Sequence, residues 1–396
     1  MIQISPETQL FIREHSSDDV RTLALQAKKY PDIDMPTVIT QIAGRQVAAE
    51  KIPSWREIEE IWYPKHLSLE QCSSEITARY KARLLQGDSL TDLTGGFGID
   101  CSFLATGFKS ATYVERQEEL CEIAAHNFPI LNLNHINVRN EDGVAYLQTM
   151  SPVDCIFLDP ARRNEHGGKT VAISDCEPNV AELEALLLNK ANRVMIKLSP
   201  MLDLSLALKE LKHTQEIHIL SVNNECKELL ILLRQTSPAE IAIHCVNLLT
   251  KGTQEEQHLV FTREQEQRSQ CTYTDSLGNY LYEPNASLLK AGAFRSIAAA
   301  YPVRKLHPNS HLYISDSFIE NFPGRIFRIV NQCSFNKKEV KENLADLKKA
   351  NVTVRNFPAT VAELRKRLHL TEGGDTYLFA STLNNGQKVI IRCEKV

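Results

Sequence analysis

The stretch that decides the fold is Asp92-Leu93-Thr94-Gly95-Gly96-Phe97-Gly98-Ile99-Asp100, where a short strand predicted to end at Asp92 turns into a helix. From Ile99 to Ala105 the apolar residues recur at helical spacing. Glycines at such a turn let the backbone approach a ligand more closely than a Cβ atom would allow. A tight turn without a ligand has the same composition, so the meaning of this stretch depends on the segments that follow it.

Three further landmarks follow the glycine turn in sequence order. A short apolar run ends in Glu115, the position at which nucleotide-binding βαβ units carry an acidic residue for the ribose hydroxyls. A predicted third strand is followed by Glu141-Asp142-Gly143, and a buried fourth strand is closed by Asp159-Pro160-Ala161-Arg162-Arg163. Strands that alternate with helices in this way predict an α/β fold with a largely parallel, doubly wound sheet.

This order of landmarks resembles the class I, Rossmann-like S-adenosylmethionine-dependent methyltransferases. A dehydrogenase would more often carry G-x-G-x-x-G, whereas the third residue after Gly98 is Cys101. Nearly the whole chain is similar to a bacterial family of methyltransferases with a C-terminal THUMP-like domain. The segments that carry this closer resemblance are Glu70–Glu75, Asp159–Arg163, Lys197–Pro200, Glu225–Glu228, Tyr282–Asn285 and Lys290–Ala293.

The resemblance implies a fold, a cofactor and a class of acceptor. It implies a seven-stranded Rossmann-like methyltransferase sheet and S-adenosyl-L-methionine as the cofactor. THUMP domains proper occur on RNA-modifying enzymes, so RNA, either tRNA or rRNA, is the acceptor implied by analogy. We therefore expect an N-terminal helical region at 1–86, a cofactor-binding domain at 87–236, a region of unassigned fold at 237–322 and a THUMP-like α/β domain at 323–396.

The charge of the chain is distributed unevenly. Residues 321–396 hold 14 Lys and Arg against 7 Asp and Glu, whereas the rest of the chain holds 31 against 42. A basic module on an otherwise acidic protein predicts contact with a polyanion such as RNA. A solvated helix face is the alternative interpretation. A strong hairpin signal, Asn384-Asn385-Gly386, lies within the same module.

The bulk composition narrows the protein class. Apolar runs are all shorter than the eighteen or so residues of a membrane span. The first residues lack the charged and apolar regions of a secretory signal, so we expect a cytoplasmic protein. The ten cysteines form no C-x-x-C pair, which predicts neither a disulfide framework nor a zinc site. The oligomeric state stays open.

The predicted cofactor site draws on the strand ends. Asp92 could hold the amino-acid end of the cofactor, directly or through water, while the backbone amides of the glycine turn approach it. Glu115 would bind the ribose and Asp142 the adenine amino group, although Asn-Glu-Asp-Gly is also a good turn. The full predicted set is Asp92, Thr94, Gly95, Gly96, Gly98, Glu115, Asp142 and Asp159.

The predicted catalytic residues are Asp159, Pro160, Arg162 and Lys197. Amino-group methyltransferases carry an Asp/Asn-Pro-Pro-aromatic motif at the end of the fourth strand, where it holds the target amino group and stacks on the base. This chain keeps Asp159-Pro160 but replaces the second proline and the aromatic residue by Ala161 and Arg162. The two arginines that follow could stack on a base or clamp a phosphate. Transfer to a nitrogen is favoured.

Other chemistries stay open at this stage. Methylation at pyrimidine C5 needs a cysteine nucleophile, and the ends of the fourth and fifth strands carry none. Cys226 is the remaining candidate, but a buried structural thiol is the favoured interpretation, so C5 chemistry is disfavoured. Lys197 could deprotonate a ribose hydroxyl, and Glu225 and Lys227 could join it at the open sheet edge or form an ion pair. A nicotinamide-dependent oxidoreductase and a protein methyltransferase with a C-terminal protein-interaction module are the alternative functions.

A predicted helix before the first strand has a polar face that could cover the cofactor. A core-facing helix with a polar rim is the alternative. The residues at helical spacing on it are Gln71, Ser74, Thr77, Tyr80 and Lys81.

Overall fold

This computed structural model describes residues 5–162, 172–236, 238–251 and 256–396, with the side chains of residues 66, 67 and 162 outside the description. The described chain forms two compact units, Met1–Gln215 with Leu230–Ser237 and Glu216–Leu229 with Pro238–Val396. Among the described residues, none of the helices combines the length and the apolar character that crossing a membrane requires.

The first unit begins with helices. Ser5 caps the first helix by accepting a hydrogen bond from the backbone N–H of Thr8, and Asp34 caps the longest one in the same way. Phe11, Val38 and Ile42 belong to the apolar cluster that these helices bury. The helices are α1 (Pro6–Glu14), α2 (Val20–Gln26), α3 (Met35–Lys51), α4 (Pro53–Arg56), α5 (His66–Gln71) and α6 (Glu75–Leu84).

Alternating strands and helices follow. Most of the helices bury apolar residues, as expected for helices that cover a sheet. The elements are β1 (Ser89–Asp92), α7 (Ile99–Ala105), β2 (Ser110–Glu115), α8 (Glu118–Ile130), β3 (Ile136–Asn140), α9 (Gly143–Thr149), β4 (Val153–Leu158), β5 (Ala161–Arg162), β6 (Cys176–Glu177), α10 (Val180–Lys190), β7 (Ala191–Leu198), α11 (Leu204–Glu210), β8 (Thr214–Val222), β9 (Glu225–Leu233), β10 (Ala242–Leu248), β11 (Glu256–Thr262) and α12 (Arg263–Arg268).

The main sheet confirms the α/β prediction but not the predicted strand number. Its described strands lie in the order β11-β10-β8-β9-β7-β4-β1-β2-β3, so the sheet has nine strands rather than seven. The two additional strands, β10 and β11, lie in the region whose fold the sequence left unassigned. β10 pairs in parallel with β8, and β11 pairs antiparallel with β10. β10 pairs with β8 across the intervening strand β9, and such a pairing leaves no local sequence signal, which is why the prediction missed it.

The remaining elements of the second unit form a seven-stranded sheet in the order β13-β14-β12-β15-β18-β17-β16. The predicted hairpin connects its strands β17 and β18, with Gly386 at a φ of +88°. The elements are β12 (Tyr280–Pro284), α13 (Ala286–Ala291), α14 (Phe294–Ala300), β13 (Arg304–Lys305), β14 (Tyr313–Ser315), β15 (Gly324–Ser334), α15 (Lys337–Leu344), β16 (Asn351–Arg355), α16 (Val361–Leu368), β17 (Thr376–Thr382) and β18 (Lys388–Lys395).

Candidate functional site

The strand order places a switch point at the end of β1. β1 pairs in parallel with β2 on one side and with β4 on the other, and β4 pairs in parallel with β7. The connections therefore leave β1 in opposite directions, which opens a crevice at the carboxyl ends of the central strands. Asp92 and Glu115 end β1 and β2, and Asp159 directly follows β4. The topology thus gathers the predicted site residues at one edge.

The glycine turn is required by packing as well as by backbone conformation. A Cβ atom on Gly95 would lie 2.2 Å from the ring of Tyr113, so this glycine makes room for a side chain of the protein. Gly96 has a φ of +52°, and a Cβ atom there would have only the carbonyl oxygen of Thr94 within 4 Å, at 3.8 Å. Gly98 has a φ of +86° and caps α7. Of the three glycines, Gly96 is the one beside which a ligand has space.

Asp92 is a buried carboxylate, and within the described residues one of its two oxygens accepts a hydrogen bond. Its Oδ1 accepts a hydrogen bond from the backbone N–H of Thr94 at 3.0 Å. Its Oδ2 is buried without a hydrogen-bond partner among the residues that the structure describes. Burial raises the pKa of Asp92 to about 8, and the negative charges of Asp100, Asp159 and Glu115 act in the same direction. A cation that reached Oδ2 would stabilise the ionised form.

Glu115 holds the glycine turn. Its Oε2 accepts a hydrogen bond from the backbone N–H of Gly96 at 2.9 Å, and its Oε1 accepts one from that of Gln117 at 2.9 Å. Each carboxylate oxygen has a second lone pair, so these bonds leave acceptor capacity for a hydroxyl group. Glu115 thus links the end of β2 to the turn after β1.

Asp142 occupies the position of a helix cap. Its Oδ1 accepts hydrogen bonds from the backbone N–H groups of Val144 and Ala145, both at 3.0 Å, and so caps α9. The side chain lies on an exposed residue. The geometry agrees with the turn interpretation of this segment, and the role of Asp142 at an adenine stays a prediction.

Asp159 and Lys197 form the charged pair of the site. Lys197 Nζ, near the end of β7, lies 2.5 Å from Asp159 Oδ2 and also contacts Asp100 Oδ2 at 3.3 Å. Its third contact is a hydrogen bond donated to Ser73 Oγ at 3.0 Å. The Lys197 side chain is 10% exposed and that of Asp159 is 36% exposed, so the carboxylate is the accessible member of the pair.

A second lysine, Lys81 on the N-terminal helix α6, contacts the same Ser73 and Asp100 as Lys197. These residues and Asp159 form one charged network. Lys81 on α6 is fully buried, and its Nζ donates a hydrogen bond to Ser73 Oγ and lies 2.9 Å from Asp100 Oδ1. Burial favours the neutral form of Asp100, but the two ammonium groups outweigh it and hold its pKa below the usual range. Burial raises the pKa of Asp159, and Lys197 opposes that shift. Two lysines and two aspartates thus balance in charge.

Thr94, predicted at the cofactor, and Pro160 and Arg162, predicted as catalytic, have fewer contacts that bear on chemistry. Thr94 Oγ1 accepts a hydrogen bond from the backbone N–H of Asp159 at 2.6 Å, which ties the turn after β1 to the end of β4. Pro160 is buried beside it. Arg162 lies in the two-stranded ribbon of β5 and β6; its side chain and the whole of Arg163 lie outside the described residues.

Glu225, Cys226 and Lys227, the other residues considered for alternative chemistries, lie in the second unit. The Cys226 thiol is partly buried, and burial raises its pKa to about 11. Such a thiol holds almost no thiolate at neutral pH, which does not favour a nucleophile. Glu225 and Lys227 form an exposed ion pair at 2.7 Å, which is one of the two predicted alternatives.

Sequence reasoning missed Ser73 and Asp100 as members of the site. Asp100 lies in the first turn of α7, where a carboxylate is common for its effect on the helix dipole. Only its contacts with Lys81 and Lys197 show that it faces the buried network. Thr77, Tyr80 and Lys81 on α6 are buried, as the core-facing alternative predicts.

Comparison with known domain families identifies the C-terminal half of the second unit. Residues 280–323 match a ferredoxin-like domain, and residues 324–395 match a THUMP domain-like family. The first match lies within the region whose fold the sequence left unassigned. No curated protein matches the chain.

Comparison with solved structures identifies a similar full-length protein. A protein from Porphyromonas gingivalis W83, named as a candidate methyltransferase, is 34% identical, with complete coverage of both chains and a TM-score of 0.87. A candidate methyltransferase from Streptococcus mutans in complex with S-adenosylhomocysteine is 12% identical over 40% of this chain and 96% of its own, with a TM-score of 0.30. An rRNA methylase from Streptococcus thermophilus is 15% identical over 40% of this chain and 93% of its own, with a TM-score of 0.29. The last two similarities are too weak to bear on function.

Proposed function

The chain belongs to the family of S-adenosylmethionine-dependent methyltransferases that carry a C-terminal THUMP-like domain, and from this premise we propose that it methylates an amino nitrogen of an RNA base. The protein is a methyltransferase. The observation that carries it is the unpartnered Oδ2 of Asp92, buried among the described residues at the switch point beside the accessible carboxylate of Asp159.

The residues at the end of β1 suit the cofactor. The ammonium group of its amino-acid end would pair with Asp92 Oδ2. This ammonium group would supply the positive charge that the buried carboxylate needs as a partner. Gly96 leaves space for the close approach, and Glu115 keeps acceptor capacity for the ribose hydroxyls. When bound, S-adenosylmethionine supplies an electrophilic methyl group on a sulfonium sulfur.

Asp159 suits an amino group as the acceptor. Its carboxylate accepts a hydrogen bond from one N–H of the amino group, which turns the nitrogen lone pair towards the methyl group. As the new nitrogen–carbon bond formed, the carbon–sulfur bond of the donor would break and leave a neutral thioether. The nitrogen would become positive and would then lose a proton to the same carboxylate. Lys197 fixes one oxygen of Asp159 and opposes the rise in pKa that burial causes, which favours the ionised form that accepts the proton.

Cofactor binding can be tested by calorimetry with S-adenosylmethionine and S-adenosylhomocysteine. We expect the wild type to bind both and Asp92→Asn to lose at least about tenfold in affinity, since the loss of one charged partner removes about 1.5–3 kcal/mol. Asp88→Asn is the matched control, because Asp88 is exposed before β1 and pairs with Lys109. Equal affinity of the wild type and Asp92→Asn would contradict the assignment.

The acceptor can be identified by incubating the protein and a labelled methyl donor with total RNA from a strain that lacks the gene. Mass spectrometry of the nucleosides should show an N-methylated base, formed by the wild type and lost with Asp159→Asn. A C5-methylpyrimidine that survives Asp159→Asn but is lost with Cys226→Ala would refute transfer to nitrogen. Label found only in protein, and insensitive to ribonuclease, would refute RNA as the acceptor.

The basic C-terminal module supports RNA as the acceptor. Most of its arginines form ion pairs with carboxylates. Arg325 and Arg355, for example, both contact the buried Glu283. Its exposed lysines differ from the arginines, since within the described chain none of them lies within ion-pair distance of a carboxylate. These lysines are Lys337, Lys338, Lys341, Lys348, Lys349, Lys366 and Lys395. Unpaired surface ammonium groups are the partners that a phosphate backbone requires.

Two adjacent lysine pairs allow a controlled test of this docking role. Lys337 and Lys338 begin α15, and Lys28 and Lys29 form a similar exposed pair in the first unit. Binding of structured RNA should weaken on Lys337→Gln/Lys338→Gln, and the slope of log affinity against log salt should fall by about 1–2. The Lys28→Gln/Lys29→Gln control should leave both unchanged. An equal effect of the two double substitutions would refute a specific docking surface.

A further inference from the structure

A cluster of imidazole and carboxylate groups lies in the second unit, on strands that have no part in the site above. Glu216 and His218 are two residues apart on β8, so both point to the same face of the sheet. His244 on β10 lies directly opposite His218 in the parallel register. His258 on β11 is a diagonal neighbour of His244, because β11 places Val260 opposite that histidine. Three strands thus bring four polar side chains together.

The distances within the cluster are those of a ligand set. Glu216 Oε2 lies 3.5 Å from His244 Nε2 and 3.8 Å from His218 Nε2. One donor atom from each of these three residues lies within 4.8 Å of the other two. Zn²⁺ binds histidine nitrogen and carboxylate oxygen at about 2.0–2.2 Å, which sets the edge of its tetrahedron at about 3.3 Å. Small rotations of the side chains bring the three donor atoms to that spacing.

We propose that Glu216, His218 and His244 form a binding site for a divalent first-row transition-metal ion, with Zn²⁺ as the reference ion. A donor set of two histidines and one carboxylate favours such ions, whereas Ca²⁺ and Mg²⁺ favour sites made of oxygen ligands. The rings of His218 and His244 stack with centroids 4.2 Å apart and planes at 14°, and His218 is buried. Coordination turns these rings so that their nitrogen lone pairs converge beside Glu216.

His258 is the outer partner of this site. Its Nε2 lies 3.3 Å from His244 Nδ1, the ring nitrogen that faces away from Glu216. A ligating histidine usually donates its second N–H to an acceptor, which orients the ring and strengthens it as a ligand. A neutral His258 with an unprotonated Nε2 would supply that acceptor. The ion therefore links β8 and β10 directly, and β11 through His258. The cluster leaves no C-x-x-C or H-x-x-x-H signature, so the sequence predicted no metal site.

The test titrates the full-length protein, freed of metal with a chelator, with ZnCl₂ and separately with CoCl₂. We expect one equivalent of Zn²⁺ to bind and to raise the melting temperature. Glu216→Gln and His244→Gln should each weaken binding by about 100-fold, and His258→Gln by about tenfold. His213→Gln is the matched control, because His213 faces a single carboxylate, Glu184, at 3.3 Å. Its affinity should stay within about twofold of the wild type.

The cobalt spectrum separates this site from the cysteines. A histidine–carboxylate site gives visible d–d bands without a sulfur-to-cobalt charge-transfer band. Unchanged affinity of Glu216→Gln and His244→Gln would overturn the proposal, and so would a charge-transfer band, which would place the ion on cysteine. Because Glu216 and His244 are only half-buried, these variants keep the fold, which their circular dichroism without metal verifies.

Discussion

Replacement of Asp92 by asparagine isolates the cost of one buried negative charge. Asparagine has the same shape and keeps an oxygen that can accept the hydrogen bond from the N–H of Thr94. It lacks the charge that burial destabilises. We therefore expect Asp92→Asn to bind the cofactor less tightly and yet to be more stable than the wild type at alkaline pH.

The magnitude follows from the pKa difference between the two states. The ordinary pKa of this carboxyl is 3.8, and burial raises it to about 8 in the folded protein. Between those values the folded state holds one proton more than the unfolded chain, so stability falls as the pH rises through this window. A difference of just over four units corresponds to at most about 6 kcal/mol. Local relaxation lowers the cost of a buried charge to several kcal/mol, so we expect a gain of about 2–4 kcal/mol for Asp92→Asn above about pH 8.

Urea denaturation between about pH 5 and pH 9 measures this gain. Both tryptophans, Trp55 and Trp62, lie in the first unit, so their fluorescence follows the unit that contains Asp92. The difference in unfolding free energy should grow with pH up to about 8 and then level off. Asp88→Asn should differ from the wild type by less than about 1 kcal/mol, as is usual for an exposed ion pair. An Asp92→Asn variant no more stable than the wild type at about pH 9 would refute the reasoning.

Three further outcomes are expected. Lys81→Met leaves the buried Asp100 with one cation fewer, so urea denaturation at neutral pH should show a loss of about 3–5 kcal/mol; a loss below about 1 kcal/mol would contradict the network. Gly95→Ala forces a methyl group against the ring of Tyr113, and thermal melts should show about 1–3 kcal/mol of overpacking; an unchanged melting temperature would speak against that packing. Cys226→Ala should keep methyl transfer to RNA within about twofold in a labelled-donor assay, because burial keeps the thiol protonated; loss of transfer would restore the cysteine mechanism.

The pH profile of methyl transfer tests the coupling between Asp159 and Lys197. Asp159 must be ionised to accept an N–H, and Lys197 lowers its pKa. Lys197→Met should therefore move the acidic limb of the rate profile to higher pH, whereas Lys197→Arg should keep it nearly in place. An acidic limb at the same pH in Lys197→Met would show that this lysine does not tune the carboxylate.

The sequence by itself determined the α/β class and the strand ends of the central sheet. A glycine turn, an acidic strand end and an Asp-Pro strand end lie within short windows, and their spacing reflects local backbone geometry. The hairpin at Asn384-Asn385-Gly386 was predictable for the same reason, since its turn needs a positive φ that Gly386 supplies. The resemblance to a methyltransferase family with a THUMP-like domain is confirmed by the full-length similarity.

Only the tertiary structure decided which charges meet. Lys81, Asp100 and Lys197 come from three separate elements, and nothing in their local sequence states that they share one buried network. The nine-stranded sheet and the cluster around His244 both depend on the pairing of β10 with β8. The strand β9 separates these two segments in the chain. Periodicity records which face of an element is buried, but not which distant element covers it. The pairing is set by packing and burial across the whole fold, and so the charged network and the histidine cluster emerge only there.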